Sequence, residues 1–218
     1  RDLHYPLRRQ RQMCIRDSYT AAFTEILIKE AETRPELVAI TAAMPDSTGL
    51  LPFSERFPDR FFDVGIAEQH ATTAAAGMAM GGLRPVIAVY ATFLNRAFDQ
   101  VSFDVALHGQ PVIFCIDRAG ITGPDGASHH GLLDMMLLTK VPGMTMFAPS
   151  SYQELQQMFS DALEITDGPV AIRYPRTPAP AVSETDVGSG LNARRISEGE
   201  DICILSIGKM LETAETVA

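Results

Sequence analysis

From Tyr19 onward the apolar positions alternate between two rhythms, a helical spacing and short unbroken runs rich in β-branched residues. Residues 20–33 (TAAFTEILIKEAET) set Ala22, Phe23, Ile26, Leu27 and Ala31 on one helical face, stopped near Pro35. A strand follows at 37–42 (LVAITA). RFFDVG, 60–65, reads as a second strand feeding a helix over about 66–80, which Gly81 and Gly82 close. RPVIAVY (84–90) is the third strand, and 92–107 is helical by period. PVIFCID, 111–117, is apolar almost without interruption, as a strand covered on both faces must be. Further strands at 143–147 and 169–173 flank a helix at 151–165. Helices alternating with short buried strands predict an α/β fold, an open, mostly parallel sheet with helices on both faces.

Past Arg176 the rhythm stops. TPAPAVSETDVGSG, 177–190, is rich in Pro, Ser and Gly and reads as a linker closing a domain that spans 19–176. DICILSI (201–207) then predicts a new buried strand, Gly208 a turn, and the last residues a helix. On this reading 191–218 is the truncated start of another domain, and the chain is a fragment.

Composition narrows the function classes. A hydrophobic fraction of 46% against 21% charged, over 218 residues, suits a packed chain and excludes bulk disorder. No run approaches the roughly 18 apolar residues of a membrane span, and no secretory leader is recognisable, so a soluble, non-secreted protein is expected. The formal charge of −9 argues against nucleic acid or anionic lipid as partners, so an anionic ligand must meet local positive charge. Cys14, Cys115 and Cys203 lie far apart with no CxxC spacing, which suggests a reducing compartment rather than disulfides or zinc. Residues 1–18 (RDLHYPLRRQRQMCIRDS) stand apart, with five Arg against two Asp, a net of +3 that leaves −12 for the remainder. Their ending resembles translated sequencing-adapter text, so the segment is expected to be non-native and to add nothing to the fold.

Chemistry gathers where strands end. There is no G-x-G-x-x-G after a strand, no P-loop, no H-E-x-x-H and no G-x-S-x-G elbow. Polar and charged residues cluster instead in DVGIAEQH (63–70), YATFLNR (90–96) and DRAGITGPDGASHHG (117–131), at the sheet edge where open parallel sheets bind ligands. Glu68 sits in the first turn of the helix after strand 60–65. A carboxylate there can simply complement the helix dipole. The helix is small and apolar on nearly every face, however, which predicts burial all round, and a buried carboxyl tends to stay protonated or to share its proton with a ligand nitrogen. His70 reads as structural. The 15-residue segment 117–131, with four Gly and adjacent histidines, is a functional loop by length and content. Arg118 and Arg173, each just past a strand, are either phosphate forks or ordinary ion-pair partners.

DVGIAEQHA, AVYATFLNRAFDQ, DRAGITGPDGASHHG and IRYPR, in this order and spacing, resemble 1-deoxy-D-xylulose-5-phosphate synthases over about residues 19–176. The stretch 191–218 is similar to the start of that family's C-terminal transketolase-like domain. The resemblance implies a thiamine diphosphate-dependent transferase that condenses pyruvate with D-glyceraldehyde 3-phosphate, with loss of carbon dioxide, to 1-deoxy-D-xylulose 5-phosphate. It implies that Glu68 hydrogen-bonds the cofactor's aminopyrimidine, that Phe93 stacks on it, and that Tyr90 and Arg96 line its surroundings. His129 corresponds to the substrate-side histidine, while His130 stands where the family has glutamine, leaving open which imidazole faces the site. Arg118, Asp125 and Arg173 match acceptor-binding positions. Mg2+ would be held through an N-terminal domain that this chain lacks, so the fragment is expected to be inactive alone. A homodimer in the cytoplasm, or in a plastid if eukaryotic, is implied as well. Two rivals remain: the pyrimidine domain of a transketolase or of a 2-oxo acid dehydrogenase beta subunit, and a non-catalytic dimerisation domain.

Overall fold

The computed structural model describes residues 18–218. Among them, six parallel strands form one sheet in the order β2-β1-β3-β4-β6-β5. The strands are β1 (Leu37–Thr41), β2 (Phe61–Asp63), β3 (Arg84–Tyr90), β4 (Ile113–Asp117), β5 (Thr145–Phe147) and β6 (Val170–Arg173). Successive side chains point to opposite faces. Leu37, Ala39, Val86, Ala88, Ile113, Cys115 and Ile172 therefore enter one core, while Ile40, Ile87, Val89, Phe114, Ile116 and Ala171 enter the other. The open parallel sheet with a covered core on each face matches the expected class.

Helices α1 (Tyr19–Thr33) and α6 (Tyr152–Glu164) cover the first face, where Phe23 meets Phe159 edge-on at 5.9 Å and Tyr19 stacks on Tyr174 at 6.5 Å. Each starts on a serine whose hydroxyl accepts from an orphan helix N–H, Ser18 from Ala21 and Ser151 from Glu154, both at 3.1 Å. The expected non-native segment lies outside the described residues except for Ser18. Ser18 caps α1 and bridges to Pro178. Between these helices come α2 (Leu51–Arg56) and, on the second face, α3 (Glu68–Met80) and α4 (Ala91–Leu94). Helical backbone continues beyond α4 through a 3-10 turn (Asn95–Ala97) and one α turn (Phe98–Gln100) into a π-helical stretch (Val101–Ala106). The short α5 (Asp134–Leu138) follows β4 and its loop.

Two expectations are corrected. Helix α3 is not buried all round: Glu68, Ala71, Thr72, Ala75, Ala76 and Ala79 face inward, but Gln69, His70, Thr73, Gly77 and Met80 are exposed. The inward set follows helical spacing, and the half-buried Ala74 and Met78 blur that period in the sequence. The run 201–207 forms no strand, and Ile202, Ile204, Leu205 and Ile207 are exposed. A strand needs a neighbour for its ladder, and no described strand pairs with this segment. Helix α7 (Met210–Val217) follows it.

Candidate functional site

The strand order places the switch in winding direction between β1 and β3, since the chain leaves β1 for β2 on one side and returns to β3 on the other. Ligands of open parallel sheets collect at the strand C-termini beside such a switch. Beyond β2, the Asp63 carboxylate accepts the N–H of Ala43 at 2.8 Å and of Gly65 at 3.0 Å, turning the chain toward α3. This delivers Glu68, 3% exposed, to the first turn of the helix with its side chain inward.

β3 ends at Tyr90 and passes at once into α4, so Phe93 and Arg96 follow Tyr90 at helical spacing on one side. The rings of Tyr90 and Phe93 lie 5.6 Å apart and 15° from parallel. Arg96 lies 5.4 Å over the Phe93 ring, and its guanidinium approaches Glu68 Oε2 at 3.5 Å. His129 meets Phe93 edge-on at 5.5 Å and Tyr90 at 6.2 Å. The Arg118 guanidinium sits 3.9 Å over the Tyr90 ring. Glu68, Arg96, Phe93, His129, Tyr90 and Arg118 thus form one unbroken series of contacts.

The loop 117–131 is folded back on α4. Gly120 and Gly131 exchange backbone hydrogen bonds at 2.8 Å, and Thr92 donates to the Ser128 carbonyl at 3.1 Å. Gly131 is obligatory there, since an added Cβ would sit 2.4 Å from Ala91 Cβ and 2.8 Å from the Arg118 carbonyl oxygen. The two histidines divide. His129 faces the aromatic pair, with Nδ1 3.0 Å from Ser128 Oγ, whereas His130 Nδ1 accepts the Thr122 N–H at 3.2 Å and braces the loop.

Charge on the acceptor side is built in layers. Asp117, at the end of β4 and fully buried, accepts from Thr20 Oγ1 and from the Arg118 N–H, each at 2.7 Å, and lies 3.2 Å from the Arg118 guanidinium. Burial pushes its carboxyl up to about 6, against the opposing pull of Arg118 and the hydrogen bonds. Arg118 holds a left-handed backbone, φ 60°, donates to the Ser47 carbonyl at 2.9 Å and reaches Asp125 at 3.6 Å. Asp125 is bonded also by Arg176. Desolvation raises the Asp125 carboxyl, but the Arg176 hydrogen bond and the charges of Arg176, Arg118 and His129 outweigh it and leave it below its ordinary value.

Arg173 stands outside this series. Its Nε donates to Asp134 Oδ2 at 2.6 Å, tying β6 to the start of α5. Of the arginines near the loop, the structure therefore joins Arg118 with Arg176 through Asp125. The sequence reading missed Arg176, Asp117, Thr20 and Asp134. Asp117 was discernible as a charge ending an apolar run; nothing in IRYPR tells which arginine reaches the loop.

The transketolase pyrimidine-binding domain family matches residues 17–181. A 1-deoxy-D-xylulose-5-phosphate synthase of Mycolicibacterium gilvum is 51% identical over 204 residues, 92% of this chain and 32% of that protein. One of Mycobacteroides abscessus is 52% identical over 205 residues, with the same coverage. The chain spans about a third of the length of these curated relatives. Among solved structures, a split-gene transketolase described as an inactive beta4 tetramer superposes with a TM-score of 0.80 at 30% identity, over 92% of this chain and 67% of that one. Transketolase of Leishmania mexicana shares the fold, with a TM-score of 0.67 at 22% identity over 72% of this chain and 25% of its own.

Proposed function

The chain belongs to the transketolase pyrimidine-binding domain family, and from that premise we propose that it is the pyrimidine-side part of a 1-deoxy-D-xylulose-5-phosphate synthase. The activity would join pyruvate to D-glyceraldehyde 3-phosphate with loss of carbon dioxide. The observation that carries this reading is the continuous contact from buried Glu68 through Arg96 and Phe93 to His129.

The residues fit the aminopyrimidine half of thiamine diphosphate. A carboxyl 3% exposed at a helix start, beside a half-buried aromatic face, offers one proton-sharing oxygen and one stacking surface. When bound, the cofactor supplies the electron sink for loss of carbon dioxide from pyruvate. Glu68 would hydrogen-bond a ring nitrogen of the aminopyrimidine, with Arg96 beside Oε2 at 3.5 Å. Phe93 would orient the ring by stacking. His129, with Nδ1 engaged by Ser128, presents Nε2 for proton transfer to the acceptor's aldehyde oxygen. Arg118 and Arg176 are the forks for its phosphate, and Asp125 keeps both aimed before it arrives. Arg173 we assign to support of the fold.

No group of three His, Cys, Asp or Glu able to hold a metal ion occurs among the described residues. The family likeness leads us to assign Mg2+ and the diphosphate to another part of the protein, and we expect the 218-residue chain to be inactive alone. In the same reading 19–176 is the pyrimidine domain, 177–190 a linker and 191–218 the opening of a further domain, within a cytoplasmic or plastid homodimer. The likeness to a split-gene transketolase favours a second reading, a transketolase-type ketol transfer. One experiment tests both. In the full-length protein, Glu68→Ala should lower product formation from pyruvate and D-glyceraldehyde 3-phosphate by about 10²- to 10⁴-fold. Undiminished product sinks the assignment of Glu68, and a wild type that ignores pyruvate but accepts a ketose phosphate donor replaces the first reading with the second.

A further inference from the structure

We propose that Asp117, tied to Thr20, is the positioning residue that presents Arg118 to the acceptor's phosphate. This rests on the acceptor pocket assigned above and adds a residue behind it that no substrate touches.

Asp117 is buried in full, paired in register with Tyr90 across β3 and β4. Its Oδ1 receives the Arg118 backbone N–H and faces the same residue's guanidinium, gripping Arg118 at both ends. That grip stabilises a backbone conformation that a non-glycine residue rarely adopts, φ 60°, and φ at this point decides whether the guanidinium lies over Tyr90. Oδ2 is held in turn by Thr20 Oγ1, on the first turn of α1. Thr20 is fixed from its other side, its carbonyl accepting the Thr24 hydroxyl at 2.9 Å. The aim of Arg118 is thus referred to a helix on the opposite core. A buried carboxylate with one charged partner and two hydrogen-bond donors is costly to maintain unless something depends on its orientation. The titratable and charged groups facing it are Arg118, Cys115 and Tyr174, and only Arg118 is cationic.

The test uses the full-length protein, comparing D-glyceraldehyde 3-phosphate with D-glyceraldehyde as acceptors. Thr20→Val removes the hydroxyl and keeps the shape; Thr20→Ser restores the hydroxyl. Thr20→Val and Asp117→Asn should each raise KM for the phosphorylated acceptor about tenfold, with kcat within twofold and KM for the unphosphorylated acceptor unchanged. Thr20→Ser should behave as wild type. Calorimetric titration with the phosphorylated acceptor in the absence of pyruvate should show the same weakening without turnover. Because the Thr20 hydrogen bond favours the ionised carboxyl, its loss should also move the acceptor KM inflection to higher pH than in wild type.

Arg118→Ala separates the two claims. If it raises the phosphorylated-acceptor KM while Thr20→Val and Asp117→Asn leave it within twofold, the positioning role is overturned and the pocket stands. If Arg118→Ala has no effect, the pocket itself falls and this inference with it. Equal weakening toward both acceptors would mark general loosening and overturn the proposal. Should Asp117→Asn fail to fold, Thr20→Val decides.

Discussion

PVIFCID at 111–117 and DICILSI at 201–207 are almost the same text, aliphatic residues around a cysteine with one aspartate at an end. They end in opposite states. β4 is buried throughout, hydrogen-bonded to β3 on one side and β6 on the other. In the second segment Ile202 is 82% exposed and Leu205 90%, and no ladder forms. An apolar run states a demand for burial; whether it becomes a strand depends on neighbours with free backbone edges.

The sharpest way to break that comparison is to damage β4. Phe114 is fully buried between Ile87 and Ala171, its register partners. Phe114→Ala should cost about 3–5 kcal/mol, the usual loss for an aromatic in a closed core. Urea denaturation of the chain reads it directly. A loss under 1 kcal/mol would mean that the centre of the sheet is no better packed than the tail.

Asp117, at the end of β4, gives the next largest effect, through pH. Its carboxyl is raised by burial from 3.8 to about 6, so the folded state prefers it protonated. The stability this contributes is present in full below 3.8 and is lost as pH rises through 6. Relative to Asp117→Asn, wild type should therefore lose on the order of 3 kcal/mol between pH 4 and pH 7. Denaturation midpoints of both proteins at several pH values check it; parallel curves would refute the desolvated state of this carboxyl. Gly131→Ala comes third. The new methyl meets Ala91 and the Arg118 carbonyl, and about 1–3 kcal/mol should be lost in thermal stability, with the loop pushed off α4.

These positions also mark how far the sequence could be read. The central strands β1, β3 and β4 lay within two residues of their observed bounds because parallel strands covered on both faces announce themselves by unbroken apolar text, a signal that at 201–207 named a strand that does not form. Glu68 was legible as an inward first-turn carboxylate, though for a partly mistaken reason: the alanine-rich text of α3 suggested burial all round, where geometry gives one inward stripe and leaves Gln69, His70, Thr73, Gly77 and Met80 exposed. Pairing was not legible. Arg173 finds Asp134, 39 positions away, and Arg176 finds Asp125, 51 away, and no local period encodes either choice. Thr20 is the plainest case, a polar residue on an amphipathic helix whose partner lies 97 residues on, at the end of another element.

The smallest effect is the most discriminating. Ile204 is 45% exposed and touches no ladder, so Ile204→Asp in the 218-residue chain should change stability by less than about 0.5 kcal/mol. The same change in β4, Ile116→Asp, would bury an unpaired charge and should prevent folding. In a longer protein that supplies strands beside 201–207, the Ile204 substitution should become costly as well, by about 2 kcal/mol or more. Denaturation of the short chain and of the longer protein, each with and without Ile204→Asp, measures how much of that segment's structure its neighbours contribute. If the substitution already destabilises the short chain by more than 1 kcal/mol, the tail is packed in solution and the contrast between the two segments is lost.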